Sequence, residues 1–119
     1  MNSAELWSIS GPAGEGLRFS DASSALNLDS AKDVVAAFRA DNYEPEGYTL
    51  STYAAIQAWA AAAEKAGDIE GAKVADALRS GPIQTVTGEL SWDAKGDLTK
   101  STYAWYVWHE GKYAQEPLN

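Results

Sequence analysis

The chain has 119 residues, 45% of them hydrophobic and 22% charged, with a formal net charge of −8 and no cysteine. That length suits one domain with a modest core, and the missing cysteines exclude disulfides, thiolate zinc sites and thiol nucleophiles. The acidic balance leaves no basic stripe for nucleic acid or for an anionic membrane surface.

Residues 4–9, AELWSI, form a short apolar patch that runs into Gly11-Pro12-Ala13-Gly14-Glu15-Gly16. These glycines match neither GxGxxG nor GxxxxGK[ST], and no lysine follows, so they read as a turn at positive φ rather than a phosphate loop. Residues 16–20, GLRFS, predict a short strand with Leu17 and Phe19 on one face. A loop rich in Ser, Asp and Asn follows. Ser30 then predicts an N-cap, with Asp33 near the positive helix end. Ala31, Val34, Val35 and Phe38 make the buried stripe of this first helix.

The stretch 47–67, GYTLSTYAAIQAWAAAAEKAG, is dense in alanine, the best helix former. Tyr53, Ile56, Ala60 and Ala63 mark the face expected to be buried, with Trp59 at its edge and Gln57 and Glu64 on the other side. Gly67 is placed to stop the helix in the left-handed conformation. Alanine nearly all round predicts a helix that is covered on more than one side. Asp68 is expected to cap a third helix through Arg79, burying Val74, Ala77 and Leu78, and Ser80-Gly81-Pro82 ends it.

Residues 83–92 predict a β-branched strand in which Gly88 marks a bulge or a close backbone contact. Asp93-Ala94-Lys95-Gly96 fits a type I turn. YAWYVW, residues 103–108, is apolar on both faces and predicts a strand covered on both sides. His109-Glu110-Gly111-Lys112 then turns, and Tyr113 begins the return.

Candidate chemistry is thin. Lys95 sits where a calcium loop needs Asp or Asn, so Asp93 to Asp97 reads as a hairpin turn. His109 is the only histidine and there is no HExxH, so it reads as a solvated turn residue rather than a zinc ligand or a base. No GxSxG surrounds a serine. Glu44 and Glu46 read as solvated charge, since nothing holds them across a substrate. No catalytic residue, metal site or cofactor is assigned, and an enzyme is not expected. The start, MNSAELWSIS, lacks a basic n-region and an apolar h-region, so no secretory signal is expected within this sequence.

Several segments, taken in order, resemble a known family. They are Gly11-x-Ala13-x-Glu15-Gly16; Ala31-Lys32-Asp33-x-Val35-x-x-Phe38; Glu46-Gly47-Tyr48 with Tyr53-Ala54-Ala55-x-Gln57-Ala58; and Ala77-Leu78-Arg79-Ser80-Gly81. Then come Thr85-Val86-x-Gly88-x-Leu90-Ser91-Trp92-Asp93-x-Lys95-Gly96-Asp97, and Trp105-Tyr106-x-Trp108 before Gly111-Lys112-Tyr113. Their order and spacing are similar to the C-terminal third of a type I periplasmic solute-binding protein of ABC importers, in the branched-chain amino-acid (Leu/Ile/Val-binding) group.

The resemblance implies a partial α/β fold with parts of both lobes, three main helices and a few short strands. Residues from about 4 to 20 and from 103 to 115 would be second-lobe strands. Residues from about 22 to 98 would carry first-lobe helices, and 97–102 a hinge crossing. It implies a non-catalytic role in binding a branched-chain or related amino acid or small carboxylate within a complete cleft, a periplasmic location, and an ABC permease as partner. Of the family's ligand contacts only the aromatic one before the central helix maps here, onto Tyr48. Its ring is expected either against the ligand or packed at the start of the helix. With much of the cleft outside this sequence, a homodimer that pairs or exchanges strands is expected. The alternative is a structural module that self-associates and has lost its ligand.

Overall fold

The computed structural model describes residues 4–116, which divide into two compact units: residues up to Ser23 together with those from Thr102 onward, and Ser24–Ser101. Each builds its own apolar core, where length alone suggested one.

The first unit contains helix α1 (Ala4–Ser10), a 3-10 turn at Gly11–Gly14, and strands β1 (Arg18–Ala22), β4 (Tyr103–His109) and β5 (Lys112–Gln115). Residues 4–10 are therefore helical, and the strand expected within about residues 4 to 20 begins only at Arg18. The short apolar patch coils because Leu6 and Trp7, adjacent on the helix, are both needed against Trp108 and its neighbours. The sheet order is β1-β4-β5, antiparallel throughout. Alternation along β4 buries Ala104, Tyr106 and Trp108, which pack with Phe19. Trp7 stacks on Trp108 at 6.1 Å and Phe19 on Tyr106 at 5.5 Å.

The other face of β4 is open, with Trp105 53% exposed and Tyr103 more so. The expectation that YAWYVW is covered on both sides is thus not met by this unit. Its aromatic residues alternate around the strand, and the helical cover lies on one side only. Between β4 and β5, Glu110 (φ 48°) and Gly111 (φ 81°) make the two-residue turn, whose pair of positive φ values matches the right-handed twist of the strands.

The second unit contains three helices, α2 (Lys32–Ala40), α3 (Thr49–Ala66) and α4 (Gly71–Arg79), and a hairpin of β2 (Ile83–Thr85) and β3 (Gly88–Leu90). Ser30 does not cap α2. It lies in a 3-10 turn at Asp29–Ala31, and its hydroxyl donates instead to the Val86 carbonyl at 3.0 Å. The stripe of α2 is as the spacing predicts: Ala31 and Val35 are buried, and Val34 and Phe38 pack against them.

Gly67 closes α3 at φ 64°. Its N–H reaches the Glu64 carbonyl and the Asp68 N–H the Ala63 carbonyl, the paired bonds of a Schellman stop. The cap of α4 is Glu70, whose side chain accepts from the Ala72 N–H at 3.1 Å. Asp68 sits a step earlier, accepting from the Glu70 N–H and pairing with Lys73. Lys73, then the Glu70 N–H, hold the Asp68 carboxyl below its ordinary range. Val74 and Ala77 are buried, with Leu78 packed alongside.

The predicted strand over 83–92 is two short strands around Val86-Thr87. Gly88 supplies a positive φ of 97° after that turn, and a Cβ there would meet nothing within 4 Å, so neither bulge nor close contact explains it. The Asp93 turn forms as expected: its Oδ1 accepts from the N–H groups of Lys95, Gly96 and Asp97, and the Gly96 N–H bonds to the Asp93 carbonyl at 3.0 Å.

Candidate functional site

Helix α3 has two apolar sides with different fates. Leu50, Ala54, Ala58 and Ala62 recur every fourth residue and face inward, Ala62 with 0% exposure. They join two clusters. One includes Ala31, Val35 and Val86, the other Val74, Ala77 and Ile83. Alanine is the right size here because α4 and β2 come close to the helix backbone. The face expected to be buried is the other one. Tyr53, Trp59 and Ile56 are exposed, Ile56 at 64%.

That outer face forms the wall of an open groove of about 770 Å³. Phe38 of α2 bounds it and meets Tyr53 edge-on at 6.2 Å. Ile56 and Ala60 supply its apolar length, and Thr49, Thr52 and Gln57 its polar atoms. Gln57, expected on the polar side, bridges inward: its Oε1 accepts from the Val86 N–H at 2.9 Å. The Val86 peptide is thus held at both ends, by Gln57 on α3 and by Ser30 ahead of α2. Nothing in the local pattern of residues 83–92 signals this clamp.

Tyr48 lies at the groove's rim, immediately before α3, with φ −88° and 77% exposure. Its backbone carbonyl accepts from the Thr52 N–H at 2.8 Å, which sets the first helical turn. The neighbouring Thr49 hydroxyl donates to the Glu46 carbonyl and meets the Tyr43 hydroxyl at 3.1 Å. Glu44 is clamped to Arg39 by two bonds of 2.8 and 2.7 Å. That pairing lowers the pKa of the Glu44 carboxyl and raises that of Arg39.

His109, read from sequence as a solvated turn residue, is exposed but partnered. It pairs with Glu15, whose other carboxylate oxygen accepts from the Glu110 N–H at 2.9 Å. The Glu110 N–H and then His109 hold the Glu15 carboxyl below its ordinary range, and hydrogen bonding to Glu15 raises the His109 pKa. The partner lies far along the chain, so spacing could not reveal it. Among the described residues no group of His, Cys, Asp and Glu is arranged to hold a metal ion.

The groove has no charged lining residue and no nucleophile set beside a base. The periplasmic binding protein family model matches residues 1–112. An amino acid binding protein of Pseudomonas aeruginosa is 52% identical over 91 residues, 76% of this chain and 24% of that protein. A Leu/Ile/Val-binding protein homolog of Brucella suis is 43% identical over 110 residues, 92% of this chain and 30% of that one. Among solved structures, a leucine-binding protein of Thermotoga maritima superposes with a TM-score of 0.75 at 25% identity, over 98% of this chain and 34% of its own.

The chain belongs to the periplasmic binding protein family, in its type I, branched-chain amino-acid group. It spans less than a third of the length of these curated relatives.

Proposed function

We propose that this chain is part of the solute-binding component of an ABC importer, taking a branched-chain or related amino acid or a small carboxylate and performing no catalysis. The observation that carries this reading is the family match over residues 1–112, with Leu/Ile/Val-binding relatives aligned along nearly the whole chain. On this reading the protein works in the periplasm and passes its solute to an ABC permease. Residues from about 4 to 20 and 103 to 115 belong to the second lobe, 22–98 to the first, and 97–102 to a hinge crossing. The division of the chain at Ser23/Ser24 and Ser101/Thr102 supports that allocation. Tyr48 is the ligand contact: its ring is exposed and its backbone is fixed by the first turn of α3.

The test is titration calorimetry with leucine, isoleucine, valine, phenylalanine and benzoate, on a single-chain protein in which residues 1–112 replace the matching stretch of the Pseudomonas relative. Saturable binding that Tyr48→Ala weakens at least about tenfold is expected. Silence across the panel from a folded protein would overturn the reading. A second reading is a self-associating structural module, a homodimer pairing through exposed strand. It is favoured by β5, whose residues are all exposed and which is paired on one side only among the described strands. Light scattering on the chain alone tests it, and a monomer at micromolar concentration would refute it.

A further inference from the structure

We infer that Tyr43 and Thr49 are positioning residues for Tyr48: together they lock the turn that presents its ring, without touching the solute themselves. The inference rests on the reading of Tyr48 as the solute contact.

The link between α2 and α3 is neither helix nor strand, yet it is tied along its length. At the α2 end the Tyr43 N–H reaches the Phe38 carbonyl at 2.9 Å, and the two rings lie 5.6 Å apart. Arg39 holds Glu44 by two bonds, and Pro45 is buried. At the α3 end the Thr49 N–H bonds to the Glu46 carbonyl at 3.2 Å, closing a four-residue turn over Gly47 and Tyr48. Gly47 has φ 56°, and Tyr48 has φ −88° with ψ 4°. Those signs belong to a type II′ turn, which takes glycine at its first central position. Tyr48 leaves the chain from the second central position, so the turn sets the direction of its side chain.

The hydroxyl protons show what holds this turn. Thr49 has one, and it goes to the Glu46 carbonyl at 2.8 Å. The 3.1 Å contact between the Tyr43 and Thr49 hydroxyls therefore uses the Tyr43 proton. Phenol, hydroxyl and carbonyl form a directed chain, from a residue packed on α2, through the first residue of α3, to the start of the turn. Links in such a chain polarise and strengthen one another. Tyr48 stands outside it. Its phenol has no partner among the described residues, and the residue is 77% exposed. A side chain in that state is free to meet a solute, and a backbone fixed in advance lowers the ordering cost of doing so.

Two measurements test the lock. The first is a double-mutant cycle by titration calorimetry, in the same single-chain protein and with the same panel of leucine, isoleucine, valine, phenylalanine and benzoate. Tyr43→Phe keeps the ring on Phe38 and loses only the bond, and should weaken binding about two- to tenfold. Thr49→Val should do the same, and Thr49→Ser should bind like the parent. Added to Tyr48→Ala, Tyr43→Phe should change the affinity by less than about twofold. A Tyr43→Phe loss that persists in full beside Tyr48→Ala would mean direct contact or general destabilisation, and would overturn the positioning role. The second measurement is amide nitrogen relaxation on the ligand-free chain. The order parameters of Gly47 and Tyr48 should lie near ~0.85 in the parent and fall toward ~0.6 in Tyr43→Phe, while the α3 interior holds. Unmoved values at these two amides, or a loss spread over all of α3, would also overturn it. Silence across the panel, or binding indifferent to Tyr48→Ala, would count against the transport reading alone, and the order parameters would still judge the lock.

Discussion

Replacing Gln57 by Ala tests the tie between α3 and the β2–β3 hairpin. Val86 is 2% exposed, and its N–H finds the Gln57 amide oxygen at 2.9 Å across 29 residues of sequence. Truncation removes the acceptor and leaves a buried donor with no replacement nearby. Losing the bond and stranding the N–H together cost about 1–3 kcal/mol. Helix propensity works the other way, because alanine is the better helix former by a few tenths of a kcal/mol (~0.4). A measured loss therefore cannot be blamed on a weaker helix. Urea unfolding followed by far-UV ellipticity reads mainly α2, α3 and α4. With a slope near ~1 kcal/mol per molar, the midpoint should drop by about 0.6–2.6 M at unchanged slope. Gln57→Glu keeps an oxygen in place and should lose less. A midpoint for Gln57→Ala within ~0.3 M of the parent would refute the clamp.

Other perturbations address the first unit. Gly111→Ala puts a Cβ 3.0 Å from the Trp7 Nε1 at a φ of 81°. The strain and the displaced indole should together cost about 1–3 kcal/mol, read by tryptophan fluorescence during denaturation. Trp108→Ala opens a cavity where the ring is 2% exposed and should cost about 3–5 kcal/mol by the same assay. The Glu15–His109 pair gives a pH signature with a definite sign. The raised His109 pKa makes its contribution complete below the ordinary value of 6.5 and lost as pH rises through the raised one. The lowered Glu15 pKa makes its contribution complete above the ordinary 4.5 and lost as pH falls through the lowered one. The pair is thus fully formed between 4.5 and 6.5. Glu15→Gln should bring the His109 midpoint down in an NMR titration of its ring protons, and an unmoved midpoint would count against the contact.

The legible parts of the sequence were those where one residue type has one physical use. Gly67 could only end a helix, and HEGK could only turn. The α2 stripe was plain because Val and Phe among Lys, Asp and Arg leave one way to face. On α3 the larger residues drew attention to the wrong side. Alanines at 54, 58 and 62 mark the buried face by being small, and smallness signals close approach only once a neighbour is known. Gly88 was ambiguous for the same reason, since a missing side chain does not say which demand it serves. Tyr48 could be proposed from family likeness, but the groove it borders is also lined by Phe38 from another helix, which no local pattern around Tyr48 announces. The Gln57–Val86 and Glu15–His109 links join distant positions and leave no local trace.

The register of β1 against β4 pairs Arg18 with Val107 and Ala22 with Tyr103. On a ribosome the first of these strands emerges long before its mate. Between them lies a stretch, 24–101, whose own contacts are mostly short-range and helical, the kind that form fast. This middle stretch can therefore settle while β1 waits, its edge unpaired, until β4 is synthesised. A chain that stops short of Tyr103 would leave the first unit without its central strand and the second largely folded, so truncated products should accumulate as half-structured, strand-sticky species rather than as unfolded ones.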